Sequence, residues 1–187
     1  MTSLPLHPAI VHLPLGLAVL MPLVALGFAW ALWTGRVRPR AWVAVVALQA
    51  LLLGGGLFAI NTGGREEDRV EKVVAESAIH QHEAYAEQFV WAIGITLGLS
   101  ALVLVARRPA VARALVSAAV AGTIVVLGLG VRVGEAGGRL VYEHGAASAY
   151  GPSYTERTPN GHGPDTERSR NDPRNDPRNE PRNEPRY

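Results

Sequence analysis

Four stretches of this chain are apolar around the whole helical circumference: about Ala9 to Trp33, Ala41 to Ile60, Phe89 to Ala106 and Ala110 to Val131, whose single charge, Arg113, stands at its very start. A bilayer core demands about 20 predominantly apolar residues per helix, and a helix with no polar face belongs in lipid or deep in a core. The pattern predicts an all-α fold, a four-helix transmembrane bundle built as two tandem helical hairpins. Between the second and third spans, Glu66–Gln88 contains neither Gly nor Pro and spaces Val70, Val73, Val74 and Ile79 for one apolar face. This segment is expected to be a helix that runs into the third span, or that lies at the interface and bends into it. Residues 1–150 thus form one membrane domain.

Charge sets the orientation. No Lys, Arg, Asp or Glu occurs from Met1 to Gly35, so the first span lacks the basic leader of a signal peptide, and it is longer than the usual apolar core of one. Arg36, Arg38 and Arg40 follow that span, and Arg107, Arg108 and Arg113 lie around the turn between the third and fourth, with no acid in either turn. Short Arg-rich loops stay in the cytoplasm. The N-terminus, the loop Asn61–Gln88 and everything after Val131 are therefore expected outside, and the acids of that loop (Glu66, Glu67, Asp68, Glu71, Glu76, Glu83 and Glu87) outweigh Arg65, Arg69 and Lys72.

The second and fourth spans end alike. Gly54, Gly56, Gly63, Gly64 and Arg65 recur as Gly128, Gly130, Gly137, Gly138 and Arg139, always 74 residues later. Such a match implies two hairpins of the same topology related by an axis along the membrane normal. The Gly54–Gly56 and Gly128–Gly130 pairs, and Gly94 with Gly98 at small-xxx-small spacing, are expected to let backbones approach closely. Gly137–Gly138 reads as a break after which the chain folds back.

Five of the six histidines, His7, His12, His80, His82 and His144, fall on the expected outer side although they span most of the membrane domain. In H-P-A-I-V-H-L-P, Pro8 suits a helix start, which places His7 at the cap and His12 about one turn in. An ionisable side chain at that depth is expensive unless it is neutral and hydrogen-bonded, faces the bundle or binds something; a plain hydrogen bond to a neighbouring helix is the simpler alternative. His80 and His82, two apart on a helix, diverge, so only one readily faces the axis with His12. His82 is expected there with Glu83 orienting its ring, and His80 in solvent. His144 is expected to fold back over the outer face, with Tyr142 and Glu143 as hydrogen-bonding neighbours. His162 is expected in solvent.

The last 37 residues hold seven Arg and seven acids and end in four copies of N-[D/E]-P-R. Too little apolar surface is present there to offset ordering entropy, so residues 151–187 read as a disordered tail. The chain has no Cys, which removes disulfides, thiolate metal sites and covalent c-type haem. Its 18 basic residues against 16 acidic ones form no basic stripe interleaved with aromatics, so nucleic-acid binding has no support. No nucleophile sits beside a recognisable base and no phosphate-cradling loop is present, so an enzyme is not expected.

The motifs H-P-A-I-V-H-L-P and G-G-R-L-V-Y-E-H-G make the chain resemble the bacterial membrane family called domain of unknown function 2231, over roughly Leu6 to Gly145. The resemblance implies a four-helix domain of the bacterial inner membrane, with both termini periplasmic. Some relatives are joined to Rieske-type or cytochrome c-type domains, which implies a place near electron transfer. The motif positions carried over are His7, Pro8, His12, Pro14, Tyr142, Glu143, His144 and Gly145, with His80 or His82 as the histidine near the third span. This sequence shows no redox domain of its own, so a redox role needs a separate Rieske-type or c-type cytochrome partner or a bound cofactor.

Three functions fit these residues. The first is a b-type haem held by two of the outer histidines, His12 with His82 or either with His144. The second is a divalent-metal site from His7, His12, His82 or His144 with Glu83 or Glu143. The third is a structural anchor or assembly subunit with no cofactor. A homo-oligomer in the bilayer is compatible with each.

Overall fold

The computed structural model describes His7 and residues 10–150; Pro8, the tail repeats and His162 lie outside the described residues. Four helices carry the fold: α1 (His12–Trp33), α2 (Val43–Val70), α3 (Glu76–Val105) and α4 (Pro109–Tyr142). All four are long and apolar enough to cross a membrane. Their outer surface is hydrocarbon, with Leu23, Trp91 and Val105 each at least 70% exposed, as expected of side chains facing lipid rather than water. The helices alternate in direction. One end of the bundle gathers the two arginine-bearing turns, and the other gathers the histidines.

Local chemistry sets the helix ends. α1 stops at Gly35, whose φ of 71° is open to glycine at little cost. There the Gly35 N–H donates to Leu32 O at 3.1 Å and the Arg36 N–H to Ala31 O at 2.8 Å, the paired bonds of a Schellman end. Pro39 opens a 3₁₀ turn, Pro39–Trp42, that leads into α2. Pro109 opens α4 and holds Arg108 extended, so α3 and α4 cannot merge.

The segment expected as one helix into the third span is interrupted. α2 runs through Gly63–Gly64 as far as Val70, and α3 begins afresh at Glu76. The physical reason lies in tertiary packing: Val74 and Ile79 bury with Ala146, against Val70, Ala78 and Leu140, in a small cluster at the histidine end, and a straight helix does not fold over that cluster. The expected break at Gly137–Gly138 is absent, because α4 continues to Tyr142. The chain turns instead at Gly145, φ 70°, into the short turn Ala146–Tyr150.

In a ring of four helices, α1 packs on α2 and α4, and α3 packs on α2 and α4, with α3–α4 the most extensive contact. The 74-residue repeat extends over this whole core. On α2 the buried positions Val45, Gln49, Leu52, Gly56 and Thr62 have buried counterparts 74 residues later in Ala119, Thr123, Val126, Gly130 and Ala136 on α4. On α1, Pro14, Ala18, Met21 and Ala25 have counterparts 75 residues later in Phe89, Ile93, Thr96 and Ser100 on α3. Contacts follow the same exchange: a Cβ on Gly56 would meet Val90 and Ile93, and one on Gly130 would meet Leu15 and Ala18 as well as Phe89. The two hairpins are thus related by an approximate two-fold along the bundle.

Not all expected close approaches occur. Gly54, Gly128, Gly94 and Gly98 each have open space where a Cβ would stand; they face away from their neighbours because the helix rotation that buries Gly56, Gly130, Ile93 and Thr96 turns them outward. The tightest seat is Gly122, outside the repeated glycine motif, where a Cβ would lie 2.6 Å from Thr96 Oγ1. Thr96 is β-branched, with few rotamers to move into, and its hydroxyl already donates to Ala92 O at 2.7 Å. Gly122→Ala is therefore expected to destabilise the detergent-solubilised protein by about 1–3 kcal/mol, the usual cost of overpacking. Gly98→Ala is expected to change stability by less than about 0.5 kcal/mol. Equal unfolding midpoints for the two variants would contradict this packing.

Candidate imidazole site at the histidine end

His7, just ahead of α1, and His82, on the diagonally opposed α3, meet where the two hairpins converge. Their ring centres are 6.3 Å apart and their planes are inclined at 85°. Each ring rests on a glycine of the next helix along the chain. A Cβ on Gly63 of α2 would lie 3.2 Å from His7 Cε1, and one on Gly137 of α4 would lie 3.2 Å from His82 Cε1. A side chain at either position would push the imidazole off its seat. Gly63 and Gly137 are repeat partners, so the site itself obeys the approximate two-fold.

The hydrogen bonds around the two rings differ. His7 Nδ1 lies 2.9 Å from the carbonyl oxygen of Ala59 and 3.4 Å from Thr62 Oγ1, while the Thr62 hydroxyl donates to that same carbonyl at 2.9 Å. Seventy-four residues on, Val133 and Ala136 stand in place of Ala59 and Thr62. A carbonyl only accepts, so the His7 Nδ1 facing Ala59 O carries a proton, which leaves Nε2 as the nitrogen with a lone pair to offer a ligand. His82 Nδ1 is buried without a hydrogen-bond partner among the described residues, which marks it as a costly group in the free site. The His7 backbone N–H also reaches Glu66 Oε1 at 3.3 Å, tying the chain ahead of α1 to α2.

His82 is thus where the sequence placed it, but the imidazole opposite is His7. His12 is exposed on α1 and takes no part in the ring contact. His80 is exposed and lies 3.2 Å from both Glu76 Oε1 and Glu83 Oε2, so Glu83 orients His80 rather than His82. Tyr142 is 89% exposed, and Glu143 and His144 are exposed beside it; the uninterrupted α4 carries them past the site instead of back over it. Among the described residues no three His, Cys, Asp or Glu side chains gather to hold a metal ion. Sequence reasoning missed Ala59, Thr62 and the seating role of Gly63 and Gly137. One signal was available, an H-x-A match of His7–Ala9 with His82–Ala84, at an offset of 75 rather than 74.

The site also stabilises the fold. His7→Ala removes the bond to Ala59 O and leaves a gap over Gly63, so a loss of about 1–2 kcal/mol is expected. His12→Ala, at an exposed position, is expected to cost less than about 0.5 kcal/mol. Unfolding of both variants in the same detergent measures this difference, and the reverse order would show that His7 is not seated as described.

Residues 3–149 match the family model DUF2231, described as a predicted membrane protein, and the chain belongs to that family. No curated protein and no solved structure matches it.

Proposed function

We propose that this DUF2231 protein is a non-enzymatic subunit associated with electron transfer, which binds a b-type haem between His7 and His82. The observation that carries this reading is the convergence of two imidazoles from the two repeats. Their ring centres stand 6.3 Å apart, so the two side chains would be the ones to hold the iron. When bound, the haem would supply one-electron redox chemistry.

The chain's own residues do the rest. Ala59 O holds the proton of His7 on Nδ1 and so presents Nε2 as the ligating nitrogen. Gly63 and Gly137 seat the rings against α2 and α4.

The positive-inside reading of Arg36, Arg38, Arg40, Arg107, Arg108 and Arg113 supports an imidazole pair on the non-cytoplasmic side, which in a bacterial inner membrane is the periplasm. A soluble Rieske-type or c-type cytochrome protein would exchange electrons there. A divalent-metal centre built on His12, His82 and His144 has less support, because those three side chains do not face one another.

The full-length protein, purified in detergent and supplemented with haem, is expected to show a Soret band and a dithionite-induced α-band. His7→Ala and His82→Ala are each expected to abolish both bands, while His12→Ala, His80→Ala and His144→Ala keep them. No Soret band in the wild type overturns the haem reading and leaves an anchor with internally bonded histidines. Loss with His12→Ala but not with His7→Ala refutes the pair.

A further inference from the structure

The opposite end of the bundle holds a second feature, independent of the histidines. A groove of about 700 Å³ opens between the two hairpin turns. Its walls are apolar, with Trp33 from α1, Val43 from α2 and Leu104 from α3 among them, and Arg40, Arg107 and Arg113 stand around it. Trp33, Val43 and Leu104 are 51%, 56% and 42% exposed, so the groove is continuous with the hydrocarbon-facing surface of the helices.

Charge selects the occupant. The three arginines come from three separate places: the 3₁₀ turn before α2, the α3–α4 connection and the first turns of α4. None of them forms an ion pair or a side-chain hydrogen bond among the described residues. No acid occurs in either turn, from Thr34 to Trp42 or from Ala106 to Arg113. Three uncompensated cations over an apolar trough call for a ligand with an anionic head and a hydrocarbon body. Inorganic phosphate satisfies only the first requirement, and a zwitterionic lipid satisfies the second with no net charge. Basic pockets between transmembrane helices bind anionic head groups for this reason.

We propose that this groove is a binding site for an anionic phospholipid, with its phosphate held by Arg40, Arg107 and Arg113 and an acyl chain laid along Val43 and Leu104. The lipid bridges the two hairpins at the end remote from the imidazole pair.

The test is a titration of the full chain in neutral detergent with dioleoyl phosphatidylglycerol, dioleoyl phosphatidylcholine or inorganic phosphate, reading the thermal unfolding midpoint. Phosphatidylglycerol is expected to raise the midpoint saturably, since a ligand that binds only the folded state stabilises it, while phosphatidylcholine and phosphate do not. R40Q/R107Q/R113Q is expected to weaken phosphatidylglycerol at least about tenfold. R36Q/R38Q/R108Q, which removes equal charge from the same end but outside the groove, should bind as the wild type does. R40Q alone, the mildest change, should weaken binding about fivefold. The proposal is overturned by equal responses to the two phospholipids, by a phosphate response matching that of phosphatidylglycerol, by equal losses in the two triple variants, or by an unaltered R40Q.

Discussion

Close contact at a few side-chain-free positions is the constraint on which this structure depends. Between helices in lipid, apolar burial adds little, because the alternative environment is as apolar as the interface. What remains is van der Waals packing, which needs backbones to approach. Gly56, Gly122 and Gly130 provide this in the body of the bundle, where a Cβ would collide with Val90, Thr96 or Phe89. Gly63 and Gly137 provide it at the histidine end, where what comes close is an imidazole.

The two-fold that organises these contacts is approximate, and its departures have physical consequences. Trp42, wholly buried, donates its indole N–H to Ser100 O at 3.2 Å; the repeat counterparts are Val116 and Ala25, which carry no polar side chain. Gly122 against Thr96 corresponds to Leu48 against Met21. Two small partners on one side and two large ones on the other make α3 and α4 the more intimate pair. At the imidazole site Thr62 supports the acceptor carbonyl for His7, whereas Ala136 offers His82 no such support. The two rings are therefore electronically unequal in nearly equal frames.

Buried polarity is concentrated on the same elements. Thr62, Thr96 and Thr123 donate their hydroxyls to their own helices, and of the three only Thr62, among the described residues, also has a side-chain hydrogen-bond partner from another part of the chain, at His7 Nδ1. Gln49 is 1% exposed, and neither amide atom has a hydrogen-bond partner among the described residues; Ser100 Oγ is likewise without one. Ser117, in the same span as Thr123, is exposed.

Much of this was legible in the chain itself. Four uninterrupted apolar runs determine four spanning helices, because the bilayer leaves a backbone few other ways to satisfy its polar groups. The glycine pattern of α2 and α4 revealed the repeat, and the distribution of arginines separated the two ends. Helix rotation was not legible, because a helix that is apolar all round carries no periodic signal of which face turns inward. That rotation decides that His7 rather than His12 meets His82, that Gly94 and Gly98 face away while Gly122 packs, and that Glu83 serves His80. Sequence specified how many helices cross and in what order; only the packing of one helix on another, set by where a Cβ would collide, determined which side chains share the axis.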